Sequence, residues 1–406
     1  MRKETLTIIL AGGVGSRLKP LTKERTKPAV PFGAKFRIID FTLSNCLHSG
    51  LRRVLVLTQY KSLSLQNHLR DAWSIFNPEL GEYITPVPPQ MRTGNHWYWG
   101  TADAVYQNLY LLKRSGARWV LILSGDHIYR MDYAALLNIH REKAADLTVA
   151  SMAVPLQEAK AFGVLSVDAE RRIVAFEEKP QHPKPLPDNP DQALVSMGIY
   201  VFSLKKLILA LEKDASNPHS SHDFGKDIIP HLIDNQSVFA YLFGTSLGRV
   251  TPDRYWRDVG TIDSYYEANM DLLKPMPPLN LYQSNWPIRS HSTQNPPLRA
   301  TSGGSGNEGV FINSLAAGGV IISGGKVVHS ILFANVFIDD GANVENTILF
   351  EGTKVGTKAR LRNCIVDKDV IIPPEETIGY DLEKDTNRFK ISAKGIVVVP
   401  KNYQFA

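Results

Sequence analysis

Leu6-Thr-Ile-Ile-Leu10 runs directly into Ala11-Gly-Gly-Val-Gly-Ser-Arg17, and this junction decides how the first half of the chain is read. The leading run is apolar and β-branched, which predicts a buried strand, and the glycines behind it mark a turn expected to open a helix. Without side chains, the backbone N–H groups of Gly12, Gly13 and Gly15 can approach phosphate oxygens closely, and a helix N-terminus would add partial positive charge. The stretch is not a Walker A loop, because Ser16-Arg17 stands where Gly-Lys-Ser/Thr is required. Nor is it a dinucleotide fingerprint, because Leu18 takes the place of the third glycine. Alone it fits an ordinary glycine-rich turn equally well; Arg17 and Lys27 supply two cations that tip the reading toward nucleotide phosphates.

Strand-like runs recur at Arg53–Leu57, Trp119–Ser124, Leu147–Ala153, Gly163–Val167, Val195–Phe202 and Phe239–Leu242. Helical stretches are expected at Ser62–Trp73, Thr101–Lys113, Tyr133–Lys143, Leu204–Leu211 and Ile262–Leu272. This alternation predicts an α/β sandwich with a mostly parallel sheet over residues 1–273, its ligand lying beyond the carboxyl ends of the strands. Residues 274–309 turn to Pro, Ser, Asn and Gly and are expected to form an irregular, partly mobile connector. From 310 to 406 a third texture follows: Ile338 and Val344, then Val355 and Leu361, repeat at six residues with Gly, Asn and Asp between. A six-residue beat is the mark of a β-helix, with an irregular all-β domain as the alternative. The open ends and flat faces of a short β-helix invite packing partners.

The 406 residues suffice for two sizeable cores, with 43% of them hydrophobic. The 46 basic and 40 acidic residues are interspersed, which favours small anionic ligands over nucleic acid. Cys46 and Cys364 lie far apart without CxxC spacing, so neither a disulfide framework nor a zinc site is expected. A strand beginning by Leu6 leaves no room for a leader, and no apolar run approaches the ~18 residues of a membrane span; a cytoplasmic location is expected.

Three further constellations carry chemistry. Ser124-Gly-Asp126-His-Ile-Tyr129 follows a predicted strand, which places Asp126 at the carboxyl edge of the sheet, and Tyr255-Trp-Arg-Asp258-Val-Gly-Thr261 precedes a helix. Each aspartate alone reads as a turn or N-cap residue; together they suit Mg²⁺, which takes one or two carboxylates plus substrate phosphates. Third come Phe176-Glu-Glu-Lys179-Pro180, Ser196-Met-Gly-Ile-Tyr200 and Ser220-Ser-His-Asp223-Phe-Gly-Lys226. Lys179 is a point charge for a phosphate, while Glu178, Ser196 and Asp223 suit sugar hydroxyls. Taken singly these segments read as solvated loops, and His127 and His222 as structural histidines.

With these motifs in place, the chain resembles the bacterial glucose-1-phosphate adenylyltransferases among the sugar-nucleotide pyrophosphorylases. The matching segments are LAGGVGSRLKPLT (10–22), KPAVPFGAKFRIIDFTLSNC (27–46), TQY (58–60), WYWGTADAV (97–105), SGDHIY (124–129), FGV (162–164), FEEKP (176–180), SMGIYVF (196–202), SSHDFGKDIIP (220–230), YWRDVGT (255–261) and NWPIR (285–289). The glycine-arginine motif alone marks only the wider superfamily; SSHDFGKD and NWPIR narrow it.

The resemblance implies a nucleotidyltransferase α/β domain followed by a left-handed parallel β-helix. It also implies an Mg²⁺-dependent reaction of ATP with glucose 1-phosphate that yields ADP-glucose and pyrophosphate for glycogen synthesis. Leu10, Ala11, Gly12, Gly13, Gly15, Ser16 and Arg17 would hold the nucleotide, with Gln59 and Gly100 at the adenine. Arg17 and Lys27 would neutralise charge at the reacting phosphates, and Asp126 and Asp258 would carry the metal. Tyr98, Gly163, Glu178, Lys179, Ser196, Tyr200 and Asp223 would hold glucose 1-phosphate. Arg25, Arg37 and Arg388 would bind anionic effectors between the domains, and the assembly would be a homotetramer without nucleic-acid or membrane partners.

Two departures stand out. Glu24 occupies the place of an activator-binding lysine in enterobacterial members and Pro31 that of a histidine, which argues against fructose 1,6-bisphosphate as effector. Trp99 takes a place often held by Arg or Gln beside the nucleotide pocket. A GTP-using mannose enzyme and a catalytically silent regulatory subunit are the alternatives. The second is disfavoured because Arg17, Lys27, Asp126, Lys179 and Asp258 are all present.

Overall fold

β1 (Thr5–Ala11) runs through the centre of the first domain and is covered on both faces, so its alternating side chains enter two separate cores. Leu6 and Ile8 pack with Leu55 and Ile122 on one side, while Ile9 and Ala11 pack with Val54, Val56 and Leu121 on the other. Each such fully buried aliphatic side chain contributes about 1.5–3 kcal/mol, which is why this strand anchors the loop that follows it. The computed structural model describes residues 4–92, 94, 96–245, 248–250 and 254–405.

β2 (Arg53–Thr58), β3 (Tyr83–Val87) and β4 (Trp119–Ser124) join β1 in the parallel order β4-β1-β2-β3. A separate ribbon strand, β5 (His127–Tyr129), follows β4 closely. β6 (Leu147–Pro155), β7 (Gly163–Val167), β8 (Ile173–Glu178) and β9 (Gln192–Ser203) complete the large sheet together with β10 (Val238–Leu242). The long β9 pairs antiparallel with β4, β6 and β7, so the sheet is parallel in the half that carries the glycine loop and mixed beyond it. Helices α1 (Ile38–His48), α2 (Leu63–Trp73) and α5 (Tyr133–Glu142) cover one face; α3 (Thr101–Tyr106), α4 (Leu109–Arg114) and α6 (Leu204–Ala215) cover the other.

Two local expectations are corrected. The glycine turn leads into a single 3₁₀ turn, Ser16–Leu18, rather than a helix, with Pro20 two residues beyond it. Any phosphate there meets loop N–H groups and side-chain cations, not a helix dipole. The stretch Thr101–Lys113 is two helices, broken where Asn108 turns its Nδ2 onto the carbonyl of Ala104 and onto Tyr98 Oη.

The connector is docked along much of its length. Trp286 is buried and donates from Nε1 to Asn45 Oδ1 at 3.0 Å, while Arg289 N–H donates to Ser44 Oγ at 2.9 Å. Coil stacking begins at Arg299–Thr301, inside the stretch expected as linker, where a strand pairs parallel with Ile321–Ser323. In the stack Ile322, Ile338, Val355 and Ile372 stand in register, one coil apart and pointing inward. Leu315, Ile331, Ile348, Ile365 and Val398 form an outward apolar column, and it packs against Phe32, Tyr265 and Leu272 of the first domain. That shared core makes the two domains one packed unit. No helix among the described residues is long and apolar enough to cross a membrane.

Candidate active site

The turn after β1, the end of β4 and the segment Tyr98–Ala104 enclose a cavity of about 380 Å³ at the carboxyl edge of the parallel strands. Leu10, Ala11, Gly12, Gly13, Gly15, Lys27, Gln59, Tyr98, Gly100, Asp126 and Asp223 all line it, which brings residues singled out for the nucleotide together with Tyr98 and Asp223, singled out for the sugar phosphate, and Asp126, singled out for the metal. A side chain on Gly13 would meet only open space, whereas Gly15 holds a left-handed φ of 61° against Lys27. Gly100 has a packing reason for its identity: a Cβ there would stand 2.2 Å from the His222 carbonyl oxygen.

The two expected metal carboxylates meet through a short ribbon. β11 (Trp256–Asp258) pairs antiparallel with β5 so that Asp258 lies opposite His127 and next to Asp126. Lys27 Nζ stands between the carboxylates, 2.8 Å from Asp126 Oδ2 and 2.7 Å from Asp258 Oδ1. Burial by itself would lower the pKa of this ammonium, but the two carboxylates outweigh it and hold the pKa above that of an ordinary lysine. Burial pushes the Asp126 carboxyl up, yet the Lys27 charge wins and holds it well below the usual carboxylate range; Ser124 Oγ also donates to it.

Asp126, His127 and Asp258 each offer one ligand atom, all within 4.8 Å of one another. Two partly exposed hard carboxylates, of which Asp126 lines the glycine-loop cavity, fit Mg²⁺, and the placement of Lys27 shows that the space between them already accommodates positive charge. His127 was given a purely structural reading from sequence; only its pairing opposite Asp258 reveals its place. Arg17 is exposed and lies outside the cavity wall, close to the same ribbon: a methyl group on Gly260 would stand 2.9 Å from its Nη2. Ser16, also exposed, does not line the cavity.

The expected sugar-phosphate residues form a second cluster that meets the cavity at Asp223. Thr101 Oγ1 donates to Asp223 Oδ2 at 2.9 Å, and Asp223 Oδ1 accepts from the N–H groups of Gly225 and Lys226. Glu178 lies against Gly163 and Gly225, where an added Cβ would stand 2.9 and 2.6 Å from its Oε2. Lys179 Nζ is 3.2 Å from Glu178 Oε1, and Ser196 Oγ donates to Tyr200 Oη at 3.5 Å. Burial pushes the Tyr200 hydroxyl pKa up, aided by Asp223 and Glu178, so it is a neutral donor near pH 7. Thr101 lies in the WYWGTADAV segment but was assigned no role, and the Asp214 carboxylate, which holds His222 Nδ1 at 2.7 Å, carried no motif in the sequence.

The expected effector arginines are not brought together. Arg25 is buried and paired through Nη2 with Asp367 at 2.8 Å across the domain boundary. Arg388 pairs with Glu376 and Asp385 on the β-helix. Only Arg37, which donates to the backbone oxygen and Oγ of Ser64, lines an inter-domain cleft of about 170 Å³; Lys35, His291 and Lys368 line it too. Lys35 lies in the segment 27–46 without an assigned role, His291 and Lys368 belong to no motif, and Lys368 is paired with Glu351 in the same cleft.

Two family models match the chain: nucleotidyl transferase over residues 6–275, and GlmU-like C-terminal hexapeptide over residues 296–399. A Vibrio cholerae protein named glucose-1-phosphate adenylyltransferase 2 is 61% identical over all of this chain and 99% of its own length. Proteins named glucose-1-phosphate adenylyltransferase from Rhodopirellula baltica and Pectobacterium carotovorum are 50% and 48% identical. The matches cover 100% and 98% of this chain and 92% and 95% of theirs.

Proposed function

Because the chain belongs to the glucose-1-phosphate adenylyltransferase family, we propose that it joins ATP and glucose 1-phosphate into ADP-glucose and pyrophosphate, the committed step of glycogen synthesis. The observation that carries this reading is the Lys27–Asp126–Asp258 cluster, whose Lys27 and Asp126 line the same cavity as the glycine loop and Asp223, which supplies charge control where two phosphate-bearing substrates would meet.

The triphosphate lies along Gly12–Gly15, with Arg17 at its outer side, and the sugar phosphate is held by Lys179, Glu178, Ser196, Tyr200 and Asp223. A phosphate monoester has a second pKa of about 6, so its oxygen is already an anionic nucleophile near pH 7 and needs no general base. This oxygen attacks the α-phosphorus of ATP in line, and the bond from that phosphorus to the bridging oxygen breaks to release pyrophosphate. Asp126 and Asp258, with the His127 ring beside them, would hold Mg²⁺, which when bound supplies positive charge against the phosphates. Lys27 and Arg17 neutralise the charge that gathers on the departing pyrophosphate.

Anionic effectors bind in the Lys35–Arg37–Lys368 cleft. Glu24, exposed and 3.8 Å from Lys61 Nζ, adds negative charge to the segment where a bisphosphate activator would need cations, so fructose 1,6-bisphosphate is a poor ligand here. A homotetrameric assembly is what the family resemblance implies; the outward row Ile321, Phe337, Lys354 and Ile371 on the coil stack, apolar except at Lys354, is one surface it could use.

Pyrophosphate release by the purified chain, with each pairing of ATP or GTP and glucose or mannose 1-phosphate, tests the reading. ATP with glucose 1-phosphate is expected to be fastest. A faster GTP–mannose reaction would overturn the substrate assignment, and no turnover with any pair would favour a silent subunit. Asp126→Asn is expected to abolish turnover with the fold intact, and near-normal turnover would remove Asp126 from the metal site.

A further inference from the structure

Trp99 is two-thirds exposed, at 66%, yet it lines the glycine-loop cavity. An exposed indole at such a place is not a loose side chain on a loose loop, because its backbone is fixed from both sides. Its own N–H donates to Asp103 Oδ2 at 2.9 Å, a carboxylate oxygen that Gln107 Nε2 also holds at 2.9 Å. The preceding N–H, of Tyr98, donates to Gln59 Oε1 at 2.6 Å, and the following Gly100 lies tight against the carbonyls of Ser221 and His222.

The ring itself belongs to a stack of three. The His96 ring lies 4.0 Å away by centroid with an interplanar angle of 16°, and the His222 ring lies 5.8 Å away at 21°. His222 is pinned by its Nδ1 contact with Asp214 at 2.7 Å. His96 covers one face of the indole and His222, at 5.8 Å, overlaps it only in part, so the stack sets the indole plane while leaving the residue two-thirds exposed. Leu10, Leu57 and Ala104 add an apolar wall to the same cavity, which the glycine loop also lines. A flat aromatic surface and a side-chain-free loop lining one slot match a flat base joined to a chain of phosphates.

We propose that Trp99 is the platform for the base of the nucleoside triphosphate, packing on it at the cavity rim while the phosphates lie along Gly12–Gly15. This rests on the reading of the cavity as the nucleotide site. Stacking is tolerant of base identity because every base has a π-face, so Trp99 adds affinity without choosing adenine over guanine. The choice of base falls to hydrogen-bonding groups of the cavity rather than to the indole.

The test is equilibrium binding of ATP, AMP and GTP, without sugar phosphate so that no turnover occurs, to the wild-type chain, Trp99→Ala, Trp99→Phe and Arg17→Ala. Trp99→Ala is expected to weaken all three nucleotides by a similar factor, on the order of 10-fold, and Trp99→Phe by less than about threefold because an aromatic face remains. ATP is expected to quench tryptophan fluorescence in the wild type but much less in Trp99→Phe, although that variant still binds. Wild-type affinity in Trp99→Ala with weakened ATP binding in Arg17→Ala would overturn the platform and leave the nucleotide site standing. Unchanged ATP binding in both would overturn the site reading itself. Loss of ATP but not GTP affinity would make Trp99 a base selector, and loss accompanied by a lowered melting temperature in both Trp99 variants would reduce the stack to a structural clasp; either result overturns the proposal.

Discussion

Arg25 and Lys27 are two residues apart and each pairs with aspartate, yet they do opposite work. Lys27 turns into the catalytic domain, where its partners Asp126 and Asp258 keep 29% and 26% of their side-chain surface open to solvent. Arg25 turns outward into the domain boundary, where it and Asp367 keep only 5% and 2%. The open cluster is arranged to exchange partners with ligands. The closed pair cannot do so without exposing a desolvated charge, and it therefore acts as a fastening between domains. One short segment ties the charge-handling centre to the coil stack, with Thr26 between the two cations bonded back to the carbonyl of Ala11 at 3.2 Å.

The contrast is broken most severely at the closed pair. Asp367→Ala leaves a buried guanidinium uncompensated and is expected to cost about 3–5 kcal/mol in urea-unfolding stability. The double variant Arg25→Met with Asp367→Leu, which removes both charges, is expected to recover most of that loss; failure to recover would mean that the pair does more than fasten. Next in size is the open cluster. Lys27→Met is expected to reduce kcat/KM by about 10²–10³-fold, the scale of one lost charge-stabilising contact, with the urea midpoint shifted far less than in Asp367→Ala. A Lys27→Met chain that unfolds readily but turns over normally would reverse the assignment of the two clusters.

How much of this was legible in the sequence depends on whether the signal was local. β1 and its glycine turn were legible because an apolar run of β-branched residues and a break in side chains are adjacent. Helix α1 was missed because Ile38 to Cys46 are all buried, leaving no polar face and hence no helical alternation to detect. The inward beat of the coil stack was legible, but its outward column was not, since Ile331, Ile348 and Ile365 look like core until their partner domain is seen. The open cluster was half legible. Lys27, Asp126 and Asp258 were each singled out, but the contact between them spans 99 and 231 residues and depends on a ribbon of three-residue strands too short to predict. The Arg25–Asp367 pair, 342 residues apart, left no trace in the sequence.

The open cluster should also show itself in acid. Asp126 titrates below the ordinary carboxylate value of about 3.9 because of the Lys27 charge, so the folded chain takes up its proton later than the unfolded chain does. Its contribution is therefore complete above that value and is lost as pH falls from there toward the depressed pKa. Unfolding midpoints measured at pH 5 and pH 3 are expected to drop more steeply in the wild type than in Asp126→Asn, and equal slopes would show that the ion cluster contributes no net stability.

The smallest expected effect lies where the two clusters share a support. Three residues after Asp258, Thr261 caps α7 (Ile262–Met270): its Oγ1 accepts from the Ser264 N–H at 3.1 Å, and Ser264 Oγ accepts from the Thr261 N–H at 3.0 Å. From that helix Tyr266 Oη donates to the Asn346 carbonyl at 2.6 Å, and Asp263 accepts from Ser392, both partners being on the coil stack. Thr261→Ala removes one half of the capping box and is expected to cost about 1 kcal/mol in urea-unfolding stability. If the clusters are independent apart from their common segment, the KM for each substrate should stay unchanged within error. A rise in KM alongside so small a loss of stability would mean that the fastening and the charge-handling centre are mechanically linked through α7 as well as through Arg25–Lys27.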